Sequence, residues 1–74
     1  MGQTNVTVPM VGKVVNVLVS PGDAVAEDDE LAIFEAMKME MPIVAPVAGK
    51  IAEIKVEAGQ RVEAETVIAV IETE

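Results

Sequence analysis

The sequence predicts an all-β domain, a flattened sandwich or barrel with approximate two-fold symmetry, and three observations carry that prediction. Hydrophobic residues make up 51% of the 74-residue chain, yet Phe34 is the one aromatic. The rest are mostly valine, isoleucine and alanine, and such a β-branched share favours strands. A helical period of 3.6 is not sustained over any window, whereas short apolar runs bounded by proline, glycine and acids recur. The chain is also its own repeat: displaced by 37 positions, residues 6–35 fall on residues 43–72 without a gap.

In that register Pro9 falls on Pro46, Gly12 on Gly49, Lys13 on Lys50, Gly22 on Gly59, Ala32 on Ala69 and Glu35 on Glu72. Conservative pairs fill the intervals: Val14 with Ile51, Val17 with Ile54, Leu31 with Ile68, Ile33 with Val70. Each half then reads as the same string of elements. Brief strands at 6–8 and 43–45 stop at a proline, which cannot donate to a ladder. Longer strands follow at 14–19 and 51–56, with alternation clearest at Ala52, Ile54 and Val56 against Glu53 and Lys55. Ser20-Pro21-Gly22-Asp23 and Glu57-Ala58-Gly59-Gln60 are turns in which glycine supplies a positive φ. The runs 31–34 and 67–71 are too short for helices and are flanked by acids. Two halves, each with one apolar sheet face, bury those faces against each other. Residues 1–5 are expected as a flexible N-terminus, 6–72 as the domain, 36–41 as the joint between halves, and 73–74 as the C-terminal end.

Composition removes whole classes of function. Five basic residues stand against 13 acidic ones, a formal charge of −8, and such a surface repels phosphate backbones, so no nucleic-acid partner is expected. Neither cysteine nor histidine occurs, which excludes disulfides, zinc clusters, thiol nucleophiles and the usual proton shuttle. No apolar run approaches the roughly 20 residues of a membrane helix, so direct membrane insertion is not expected. The N-terminus lacks the pattern of a signal peptide, and Val6 stands where a myristoylation motif wants Ser or Thr. The expectation is a soluble, cytoplasmic chain. Glu27-Asp28-Asp29-Glu30 reads as a solvated turn rather than an acid–base pair.

The joint reads Glu35-Ala36-Met37-Lys38-Met39-Glu40-Met41 and holds three of the five methionines. A hairpin pairing residues 31–35 with 40–44 puts its tight turn on Met37 and Lys38. Two-residue hairpin turns prefer Asn-Gly or Gly-Gly because their central residues need positive φ. Met and Lys there contradict local preference, and such violations mark functional positions more often than structural ones. On the residues alone, two readings stand: a lysine singled out for use, or a solvated tip with methionines packing the edge. Two-fold symmetry would place the joint at one end of the domain and the termini at the other.

The segment Glu35-Ala36-Met37-Lys38-Met39-Glu40 resembles the attachment motif of biotin carboxyl carrier, or biotinyl, domains. Pro9-Met10-Val11-Gly12-Lys13, Ala45-Pro46-Val47-Ala48-Gly49-Lys50 and Gly22-Asp23 resemble that family's proline-to-glycine segments and its turn. The resemblance covers nearly the whole chain. It implies the biotinyl/lipoyl fold, two four-stranded antiparallel sheets related by a quasi-two-fold axis. It further implies that Lys38 is modified with biotin by a biotin protein ligase, with Glu35, Ala36, Met37 and Met39 as the motif that ligase and partners recognise. The implied role is non-catalytic. Biotin on Lys38 takes a carboxyl group at a biotin carboxylase and delivers it at a carboxyltransferase, or serves a decarboxylase in the reverse sense. Related lipoyl domains usually carry Asp before the lysine, so Met37 and Met39 point to biotin. Acetyl-CoA carboxylase carriers of bacteria insert a thumb before the hairpin; the ungapped repeat resembles thumbless carriers.

A lipoyl carrier and an unmodified structural adaptor are the alternatives. Lys13 and Lys50 are rival attachment candidates, but they repeat at equivalent positions and read as structural. Lys55 lies on a polar strand face, and Arg61 follows a turn with no evident partner.

Overall fold

Every strand of the protein maps onto another strand 37 residues away. The computed structural model describes residues 2–73, which form β1 (Gly2–Thr7), β2 (Gly12–Val17), β3 (Ala24–Val25), β4 (Glu30–Ala36), β5 (Met39–Val44), β6 (Gly49–Ile54), β7 (Arg61–Val62) and β8 (Val67–Thr73). The first four strands repeat as the last four at identical lengths. They build two four-stranded antiparallel sheets, ordered β1-β8-β6-β3 and β5-β4-β2-β7. The all-β sandwich expected from the β-branched composition and from the resemblance is therefore present.

The halves do not each supply one sheet. The first sheet takes β1 and β3 from one half and β6 and β8 from the other, and the second sheet is its mirror in composition. Neither half can complete a sheet without its copy. Reciprocal bonds clasp the halves: the Gly22 amide donates to the Ile51 carbonyl at 2.8 Å, and the Gly59 amide donates to the Val14 carbonyl at 2.6 Å. Gly22 and Gly59 take φ of +96° and +91°, the left-handed conformation their turns were expected to need. Asp23 and Gln60 close the same turns, accepting from the amides of Ser20 and Glu57.

The inner faces meet in a core of Val6, Val8, Val14, Leu31, Phe34, Ile51, Ile71 and their neighbours, with no buried polar side chain among the described residues. Equivalent positions bear equivalent loads: Val14 and Ile51, Leu31 and Ile68, Phe34 and Ile71 are each 2% exposed or less. Gly12 and Gly49 permit this closeness. A Cβ on Gly12 would overlap the Glu35 carbonyl oxygen and the Phe34 ring, and one on Gly49 would overlap the Glu72 carbonyl oxygen and Ile71. Pro42 sits in β5, an edge strand, where a missing N–H interrupts no second ladder.

Three expectations change. Residues 1–5 were expected to be flexible, but Gly2–Asn5 belong to β1 and pair with β8 from Thr73 to Val70; Met1 lies outside the described residues. Polar Gln3, Thr4 and Asn5 hid this strand, because one of its faces is solvated. Thr73 likewise continues β8 rather than forming a separate end, and Glu74 lies outside the described residues. The alternation read at 52, 54 and 56 is broken by a bulge: Ile51 pairs with Ile71, Glu53 with Val70, and Ala52 is the extra residue. Ile51 and Val56 are consequently the buried positions. The two-residue strands β3 and β7 carry too little pattern to be read from the residues.

Candidate functional site: the Met37–Lys38 turn

β4 and β5 pair from Glu30 opposite Val44 to Ala36 opposite Met39, leaving Met37 and Lys38 as a two-residue turn. Both take positive φ, 54° and 64°, the backbone of a type I′ hairpin turn. The two other non-glycine residues with positive φ, Asp28 and Glu65, are repeat mates. The mates of Met37 and Lys38 are the terminal residues, so within the described chain this strain belongs to the joint. It is held from below. Ala36 is buried at the foot of the turn, and Phe34 two residues earlier lies in the core.

The five motif residues divide by face. Ala36 points inward and is 4% exposed, so it seats the turn and offers no surface to a partner. Glu35 points outward and is exposed. Lys38 is exposed, with Met37 at 82% and Met39 at 65% on either side. Among the described residues these two are the most exposed of the large hydrophobic side chains. Among the described residues the one ion pair joins Lys55 to Glu53, so the Lys38 amine makes none there.

The turn also occupies one end of the molecule, whose extents are 36 × 18 × 18 Å. β2 starts beside the hairpin, with Lys13 opposite Glu35, and the Gly22 turn that follows bonds β6 close to the β8 end. Ile51, which accepts from the Gly22 amide, pairs with Ile71, two residues before the Thr73 that pairs with Gly2, so Gly2 and Thr73 lie toward the end away from Lys38. Both candidate lysines set aside on repetition, Lys13 and Lys50, stand near strand starts.

A groove of about 420 Å3 lies beside the turn, lined by Val11, Lys13, Glu35, Met37, Lys38 and Arg61 among others. Arg61, which had no evident partner in the sequence, is directly opposite Lys13, and Lys13 is directly opposite Glu35. The signal that could have found it was an unequal repeat pair: Arg61 is the mate of Ala24.

The two sheets thus display one lysine on a positive-φ turn at the joint between the repeats. The chain belongs to the biotin/lipoyl family of biotin-requiring enzymes, whose model matches residues 4–71. It is 57% identical over 68 residues to a Mycolicibacterium smegmatis protein named as a biotinylated TB7.3 homolog, covering 92% of this chain and 96% of that protein. It is 57% identical over 37 residues to the biotin carboxyl carrier protein of Streptococcus mutans, covering 50% of this chain and 28% of that one. The Kluyveromyces lactis urea carboxylase superposes with a TM-score of 0.90 at 32% identity, over 97% of this chain and 6% of that one. The chain spans 30% or less of several curated relatives that it matches. It is a biotinyl-type, non-catalytic carrier domain.

Proposed function

We propose that the Lys38 Nζ accepts biotin from a biotin protein ligase, and that the chain carries a carboxyl group between active sites of a biotin-dependent carboxylase or decarboxylase. The observation that carries this reading is the exposed lysine on a positive-φ turn between two exposed methionines, in a chain of the biotinyl family. When bound, biotin supplies a ureido nitrogen able to take up and release a carboxyl group. Glutaconyl-CoA decarboxylase and propionyl-CoA carboxylase subunits both match the chain. The reading therefore takes the carboxyl-transfer class and its partners, a biotin carboxylase with a carboxyltransferase or a decarboxylase subunit. Residence in the cytoplasm goes with it.

The chain's own residues perform display. The turn fixes the Lys38 backbone, so the amine projects beyond the sheets, and Ala36 and Phe34 keep its base from yielding. Amide formation removes the lysine charge, leaving the end of the domain one unit less positive. Met37 and Met39 are unbranched and polarizable, suited to packing against unlike partner surfaces in succession. Tethering turns each visit into an intramolecular encounter, with local concentration on the order of millimolar.

The test is incubation of the folded chain with ligase, ATP and biotin, followed by intact-mass analysis. One added biotin, lost in Lys38→Ala, is expected. Lipoylation by a lipoate ligase without biotinylation would transfer the reading to a lipoyl carrier.

A further inference from the structure

The internal two-fold provides a comparison within one molecule: an element present at the displayed end and missing from its copy is not required by the fold. Across the outer face of the second sheet, direct strand partners form a row of Glu40, Glu35, Lys13 and Arg61. Direct partners on adjacent strands project to the same side. The alternating neighbours Phe34, Ala36, Val14 and Val62 are buried, so the row faces solvent. The copy on the other sheet reads Gln3, Glu72, Lys50 and Ala24. The inner pair, a glutamate opposite a lysine, is common to both. Arg61 and Glu40 are added only at the end that carries Lys38.

Arg61 also changes the charge distribution. The chain has five cations and a net charge of −8. Three of the five, Lys13, Lys38 and Arg61, line the single groove beside the turn. Of the others, Lys50 belongs to the copied row and Lys55 is paired with Glu53. Lys13 and Arg61 share their row with Glu35 and Glu40, so with Lys38 the attachment end sums to +1, against −9 for the rest of the chain. Once Lys38 becomes an amide, that end is neutral, still the least negative part of the molecule.

We infer that Lys13 and Arg61 form a steering surface for the enzyme that modifies Lys38, meeting carboxylates on the rim of that enzyme's active site. This rests on the carrier reading above. The rest of the chain, at −9, is repelled by such a rim, and the cations at the attachment end make it the end that leads. Complementary charge of this kind acts mainly on the rate of encounter and is screened by salt. Arg61 touches no reacting atom; it is a positioning residue.

The experiment measures kcat/KM for ligase-catalysed biotinylation of the whole chain at low and high salt, with intact mass as the readout. Arg61→Ala installs the residue that the copy already tolerates at position 24. It should lower kcat/KM by about 3- to 10-fold at about 20 mM salt and by less than about 2-fold near 0.5 M, where the Debye length shrinks to a few ångströms. Arg61→Lys should restore the rate, and Arg61→Glu should deepen the loss. Lys50→Ala, which removes one cation from the far end, should leave it unaltered. An unchanged rate in Arg61→Ala, a loss independent of salt, or an equal loss in Lys50→Ala would overturn the inference while leaving the carrier reading intact. No labelling of the unaltered chain would overturn that reading and this inference with it.

Discussion

The ring of Phe34 fills the space that a Cβ on Gly12 would need, its Cζ lying 2.5 Å from that position. The contact ties the first residue of β2 to the strand that leads into the displayed turn. It predicts that Gly12→Ala destabilises by about 1–3 kcal/mol, the usual cost of overpacking a close contact. A Cβ on Gly22 meets nothing within 4 Å, so the cost of Gly22→Ala is backbone strain alone, about 1–2 kcal/mol for a side chain at φ +96°. Urea unfolding of the two variants checks both; a neutral Gly12→Ala would contradict the packing account.

Phe34→Ala removes the largest fully buried side chain, in a core with no aromatic to compensate. Such deletions cost about 3–5 kcal/mol, a large part of the stability of a domain this small. A thermal melt should show a strongly lowered midpoint or no cooperative transition. Retention of the parent Tm would mean that the two sheets pack differently from this arrangement.

The turn itself is predicted to be suboptimal for stability. Changing Met37→Asn together with Lys38→Gly supplies the residues that a type I′ turn favours, and should stabilise the hairpin by roughly 1 kcal/mol. The same variant loses every trace of labelling. If it melts at or below the parent temperature, the positive φ values at Met37 and Lys38 are not a stored cost.

Much of this was legible before any coordinates. The displacement by 37 found the duplication, because paired glycines and prolines mark backbone requirements that survive sequence drift. The turn on Met37 and Lys38 followed from the hairpin register alone. What escaped reading was hidden for physical reasons. Gln3, Thr4 and Asn5 form a half-solvated edge strand with little apolar signal. The two residues of β3 or β7 cannot display a period. Bulges at Val15 and Ala52 shift the alternation mid-strand. Arg61 became meaningful only when strand pairing set it opposite Lys13.

Lys55 and Glu53 form an exposed pair at 2.9 Å. Exposed pairs contribute little, so Lys55→Ala should alter stability by less than about 1 kcal/mol and leave labelling untouched. A large loss of either would assign Lys55 a role that its position does not suggest.

The central claim is that one amine is displayed for modification while the scaffold withholds the rest. Peptide mapping of the chain after exposure to active biotin ligase tests it most directly. The account predicts a single biotin, on Lys38, with Lys13, Lys50 and Lys55 unlabelled. Biotin on any of those three, or none on a chain shown to be folded, would contradict it.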